Sequence, residues 1–105
     1  MTVLEQTEKQ LEAAVVQFAE LMGWMSYHAF DSRRSTPGFP DRVFLRPPRI
    51  LFVEFKTEKG RVSKDQMRWL DMLSMVEVGL GPPAGRFSVR VWRPSDWADI
   101  EEALR

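Results

Sequence analysis

Cysteine is missing from this 105-residue chain, which excludes disulfides, zinc–thiolate centres and thiol chemistry. That absence fits a reducing compartment, and the expected location is the cytoplasm. No apolar run approaches the ~18 residues needed to cross a bilayer. The N-terminal stretch MTVLEQTEKQLE carries acids early and lacks a basic leader before an apolar block, so no secretory signal is expected. Internal repeats, low-complexity tracts and long linkers are absent as well. Net charge is also lacking, because 15 Lys and Arg balance 15 Asp and Glu. What is present is an ordinary globular composition, 44% hydrophobic and 29% charged. It excludes disorder and collagen-like order, and the expected organisation is one domain over residues 1–105.

A neutral total speaks against a polyanionic partner only until the charges are placed. Residues 1–32 carry Lys9 against five carboxylates, a net −4. Residues 33–68 carry ten basic side chains against four acidic ones, a net +6, and residues 69–105 return to −2. Sorting of this kind builds a basic face on a neutral protein, as nucleic-acid binding requires. A solvated mixed-charge surface has the same composition.

Apolar positions at Leu4, Leu11, Val15, Phe18 and Met22 predict a helix over Leu4–Met22 that stops at Gly23. Trp24–Phe30 reads as a short strand and Asp31–Pro40 as an exposed loop. Arg42–Arg46 and Ile50–Lys56 read as adjacent strands around Pro47-Pro48, followed by a turn at Glu58–Arg61. Ser63 and Gln66 form a capping-box pattern that opens a second helix, with Met67, Leu70, Leu73 and Val76 as its buried stripe. After a flexible-looking Gly79–Arg86 segment, Phe87–Trp92 is a last strand and Ser95 caps a helix through Trp97, Ile100 and Leu104. The expected class is α/β, a small mixed sheet flanked by helices.

The chemistry concentrates at the end of one strand. Ile50–Phe55 is apolar on both faces, as in a doubly covered strand, yet it ends in Glu54 and Lys56, which period-two alternation puts on one face. A bare Glu-x-Lys is common and also describes a strand running out into solvent. Pro40-Asp41 opens the neighbouring strand, however, and adjacent strands bring Asp41 beside Glu54. Two converging carboxylates make a hard-oxygen site suited to Mg²⁺ or Mn²⁺. A lysine beside them positions a water or neutralises charge on a phosphate.

Pro40-Asp41 and Glu54-Phe55-Lys56 resemble the PD-(D/E)XK nuclease signature. The wider pattern of Gly23-Trp24, His28, Asp31–Arg34, Pro37–Asp41, Glu54-x-Lys56, Gly60, Ser63 and Gln66 resembles the VRR-NUC family, particularly its small standalone phage and bacterial members. That resemblance implies an αβββαβ restriction-endonuclease-like core with a short C-terminal helix, and a phosphodiesterase that depends on Mg²⁺ or Mn²⁺. It implies that Asp41, Glu54 and the Phe55 carbonyl bind metal and that Lys56 serves catalysis. Gln66 would approach the site from its helix, although the helix cap alone explains a glutamine there. The first-helix glutamate of the family falls on Glu8 or Glu12, with Glu8 the better placed. His28, Arg33, Arg34, Arg61 and Lys64 are candidate DNA contacts. Arg42 departs from the family, standing where an apolar residue is usual.

The standalone relatives resemble Holliday-junction resolvases, which implies a homodimer cutting branched or four-way-junction DNA. Trp24, Trp69, Trp92 and Trp97 are candidates for the apolar dimer surface. The alternatives are a nicking or flap nuclease of phage replication or packaging, or a catalytically idle DNA-binding or assembly module of the same fold.

Overall fold

The computed structural model describes residues 2–29 and 36–105. A 3₁₀ turn at Val3–Glu5 leads into α1 (Glu8–Leu21), β1 (Met25–His28), β2 (Arg42–Arg46) and β3 (Arg49–Phe55). Then come α2 (Lys64–Leu80), β4 (Phe87–Trp92), a 3₁₀ turn at Pro94–Asp96 and α3 (Trp97–Leu104). The α/β class, the element order and the closing helix are as expected from sequence.

The strands form one mixed sheet in the order β1-β2-β3-β4. β1, β2 and β3 pair antiparallel, while β4 joins β3 in parallel, so the chain must cross over, and α2 supplies the crossover. Alternation assigns Phe44, Leu51, Val53, Phe55 and Trp92 to one face, where they pack with Leu11, Val15 and Ala19 of α1 and Ile100 and Leu104 of α3. α2 lies over the other face. Glu77 accepts the Val89 amide at 3.1 Å, and Phe39 wedges edge-on between Phe52 and Trp69, with centroids 6.2 and 5.1 Å away.

That second layer is incomplete. Met25 and Leu45 are register partners on the α2 face, and they stay 74% and 41% exposed, with Tyr27 alongside at 66%. α2 itself presents Met72, Met75, Val76, Val78 and Leu80 to solvent. Exposed apolar side chains on a strand pair and on a helix are the material of an interaction surface.

Several sequence expectations need correction. α1 starts at Glu8, because Thr7 and Gln10 form a reciprocal capping box; Leu4 sits in the preceding 3₁₀ turn and is exposed. β1 is shorter than Trp24–Phe30, and Phe30 lies outside the described residues. Of the expected α2 stripe only Leu70 is buried, Leu73 is half-buried, and Met67 and Val76 are exposed, since half a sheet face gives the helix little to bury against. Ser95 does not cap α3: it lies within the 3₁₀ turn and its amide donates to Glu58. Trp24 and Trp92 belong to the core and leave no ring for an interface.

Trp24 also anchors the C-terminal helix. The last carbonyls of any helix lack intrahelical donors. Here Trp24 Nε1 donates to Leu104 O at 2.8 Å, Arg49 to Ala103 O at 2.7 Å and Arg46 to Arg105 O at 2.8 Å. Both guanidinium groups lie against the Trp24 ring, 4.6 and 4.9 Å from its centroid. These cations also oppose the negative end of the α3 dipole. Arg46→Met is expected to lower unfolding free energy by about 1–3 kcal/mol, measured by urea denaturation, through lost charged hydrogen bonds and the cation–π contact.

Candidate active site

The apolar run of β3 carries its last carboxylate into the protein. Glu54 is 1% exposed, and Lys56, one residue past the strand, is 7% exposed. They share a face as alternation requires, with Lys56 Nζ 3.7 Å from Glu54 Oε2. This pair does not emerge into solvent.

Asp41 arrives from the loop that opens β2. Gly38 has φ +92°, and a Cβ there would overlap the Asp65 carbonyl, so glycine lets this loop press against the first turn of α2. Pro40 is fully buried, and Asp41 Oδ2 accepts the Phe55 amide at 2.8 Å. Asp41 is thereby tied to β3 beside Glu54. The contact made by Phe55 is through its N–H.

Gln66 does two things at once. Its Oε1 accepts the Ser63 amide at 2.9 Å and its amide donates to Ser63 Oγ at 3.1 Å, completing the cap. Its Nε2 donates to Glu54 Oε2 at 2.7 Å. The cap and the contact with Glu54 coexist because an amide side chain has an acceptor and a donor end.

Glu54 Oε1 is different: it is buried and accepts no hydrogen bond among the described residues. Burial, followed by the negative charge of Asp41, pushes the Glu54 carboxyl up to about 7, against the pull of Lys56. Asp41 is also raised, by burial first, with the Phe55 amide opposing and the carboxylates of Glu12 and Glu8 reinforcing. The two carboxyls therefore repel as well as converge.

Acids from α1 complete the surroundings. Glu8 and Glu12 lie one turn apart and line, with His28, Asp41 and Arg42, an open cleft of about 600 Å³. The charge of Glu8 acts on both Asp41 and Glu54, while Glu12 acts on Asp41. Glu12 is engaged elsewhere, its Oε2 accepting Arg42 Nε at 2.7 Å. Among the described residues no group of three or more His, Cys, Asp or Glu side chains is close enough to hold an ion together.

Arg33 and Arg34 lie outside the described residues. Arg61 and Lys64 are exposed at the entry to α2, and neither forms an ion pair with a described residue. Sequence reading missed Arg93. Its Nη1 donates to Thr57 O at 2.7 Å, Glu58 O at 3.3 Å and Gly60 O at 2.8 Å, clasping the turn between Lys56 and the Ser63 cap. A lone arginine after a strand carries no signal of this; only the parallel β3–β4 pairing brings it there.

An aspartate at the start of one strand, facing Glu-x-Lys on its antiparallel neighbour, with a helix covering the pair, is the layout of a PD-(D/E)XK-type nuclease. The model of the VRR-NUC domain matches residues 1–80, and the chain belongs to that family. No curated protein and no solved structure matches the chain. The matched stretch ends with α2, so β4 and Arg93 lie beyond it.

A carboxyl held at about 7 against an ordinary 4.5 binds its proton more tightly folded than unfolded. Its contribution to stability is therefore full below pH 4.5 and falls as pH rises toward 7. In chelator, wild type is expected to lose on the order of 3 kcal/mol more than Glu54→Gln between pH 4.5 and 8, by denaturant titration. Parallel pH profiles for the two proteins would show that Glu54 binds its proton equally well folded and unfolded.

Proposed function

We propose that this nuclease is a divalent-metal-dependent DNA endonuclease that works as a homodimer on branched DNA, the four-way junction above all. The observation that carries the metal dependence is Glu54 Oε1, a carboxylate oxygen buried beside Asp41 with no donor of its own. Leaving such an oxygen unpaired is costly, and a cation removes the cost. The donor chemistry fits, although Asp41, Glu54 and Glu8 do not stand close enough to hold an ion as a group of three. Asp41, Glu54, the Phe55 carbonyl and Glu8 offer only oxygen, the preference of Mg²⁺ and Mn²⁺ over softer ions. When bound, the ion supplies Lewis acidity toward the phosphate and lowers the pKa of water.

The protein's own groups account for the remainder. Gln66 holds Glu54 Oε2 in one orientation, leaving Oε1 for the ion. Lys56 keeps a positive charge beside the carboxylates, where it orients the attacking water and offsets charge on the scissile phosphate. Water adds to phosphorus and releases one proton to solvent, the bond to the 3′ oxygen breaks, and that oxygen leaves with a proton drawn from solvent. Arg61 and Lys64 extend the footprint along the backbone, with Arg33 and Arg34 assigned the same task from sequence and His28 contributing from the cleft wall. Backbone contacts favour recognition of DNA shape over base sequence.

The uncovered apolar surface around Met25, Tyr27, Leu45 and the outer face of α2 supports the dimer. A two-fold arrangement presents two sites to two strands, matching the symmetry of a junction.

Labelled four-way-junction and linear duplex DNA, each with Mg²⁺ or Mn²⁺, test the reading. Wild type is expected to cut the junction selectively, and Lys56→Ala to lose about 100-fold or more in rate while still binding DNA. Equal cutting of both substrates would remove the junction preference. No cutting by folded protein in either metal would favour a DNA-binding module. Wild type is expected to scatter light as a dimer at micromolar concentration and Leu45→Glu as a folded monomer.

A further inference from the structure

The acids around Asp41 are not all alike. Glu12 and Arg42 form a half-buried ion pair, 2.7 Å between Oε2 and Nε, with side chains 17% and 19% exposed. Arg42 is held from a second side by Ser26 Oγ, 3.2 Å from Nη1. The guanidinium is therefore clamped between the first helix and the sheet edge. The pair lines the same cleft as Asp41 and Glu8, and the charge of Glu12 acts on the Asp41 carboxyl. Arg42 is also the residue after Asp41, on the strand that opens there. Few positions offer a side chain a stronger influence on the charge of the site.

We propose that Arg42 is a positioning residue that sets the net charge of the cleft beside Asp41. By pairing with Glu12 it withdraws one of the two α1 glutamates from the cation. Glu8 is then left without that partner on the helix, and the cleft wall toward an incoming phosphate is less negative by one charge. The inference rests on the reading of Asp41 and Glu54 as cation ligands, and goes beyond it by giving the site a built-in compromise. Every added negative charge tightens a divalent cation and repels DNA; every added positive charge does the reverse.

Four proteins separate this from a packing role. Relative to wild type, Arg42→Met adds one negative charge to the wall and Glu12→Gln adds one positive charge. The double variant restores the balance. Mn²⁺ affinity, measured by calorimetry without DNA, is expected to rise about three- to ten-fold in Arg42→Met and to fall by a similar factor in Glu12→Gln. The double variant should return to within about two-fold of wild type. Binding of a short duplex in chelator, followed by fluorescence anisotropy, should shift in the opposite sense for each single variant, and less at high salt.

Loss of packing cannot move two affinities in opposite directions, so the signs decide. Shifts of the same sign in both single variants, or no shift in either, would overturn the role of Arg42 while leaving the metal reading intact. Should Arg42→Met fail to fold, Glu12→Gln keeps a hydrogen-bond acceptor for Arg42 and carries the test alone, with weaker Mn²⁺ binding expected. Unchanged Mn²⁺ affinity in that variant would overturn the proposal. Folded wild type that binds no Mn²⁺ would sink the metal reading itself, and this inference with it.

Discussion

One carboxylate kept out of water organises this end of the molecule. Glu54 sits at the end of an otherwise apolar strand with almost no exposure, and burying an ionised group there is unfavourable unless partners replace its hydration. The chain supplies only part of that replacement. Gln66 and Lys56 both serve Oε2, while Oε1 has no partner and Asp41 adds repulsion. A strand built for stability alone would end in an apolar residue at this position. The incomplete compensation is itself the argument for a site that receives a cation.

Holding such a group in place requires that several elements agree on its position. The loop before β2 is pressed on the start of α2 at Gly38, where any side chain would collide with the Asp65 carbonyl. Asp41 is fastened to the Phe55 amide and Gln66 to the Ser63 cap, so loop, strand and helix meet at one point. Arg93 then fixes the turn joining Lys56 to that cap from beyond the family-matched stretch. β4 thus does more than widen the sheet. Without its parallel pairing, the carbonyls of Thr57 and Gly60 lose their shared donor.

The legible parts of the sequence were those governed by local rules. Glu54 and Lys56 share a face because strands alternate, and Ser63 and Gln66 cap because their spacing allows nothing better. The expected element order and class followed from the same rules. What failed depended on partners that sequence does not name. Met67 and Val76 have helical spacing, but the surface opposite them is unfilled, and periodicity reports a face without reporting what covers it. Trp24 is one of four candidates for an apolar surface in the sequence, and its place in the core depends on Arg46, Arg49 and the end of α3, all remote in the chain. Arg42 looked like a departure, and only the fold pairs it with Glu12.

A charge total of zero is informative in this light. A site that gathers carboxylates for a cation also repels the phosphates it must cut, and the repulsion acts over the Debye length, about 10 Å at 0.1 M salt. Two remedies are available: basic side chains outside the acidic centre, or neutralisation of acids within it. On the reading proposed above, Arg61 and Lys64 beside α2 serve the first and the Arg42–Glu12 pair the second. Lys56 combines them, a cation inside the acidic centre and half of an ion pair with its buried carboxylate. Of the segments that differ in charge along the sequence, the fold brings Glu12 of the acidic first to Arg42 of the basic second.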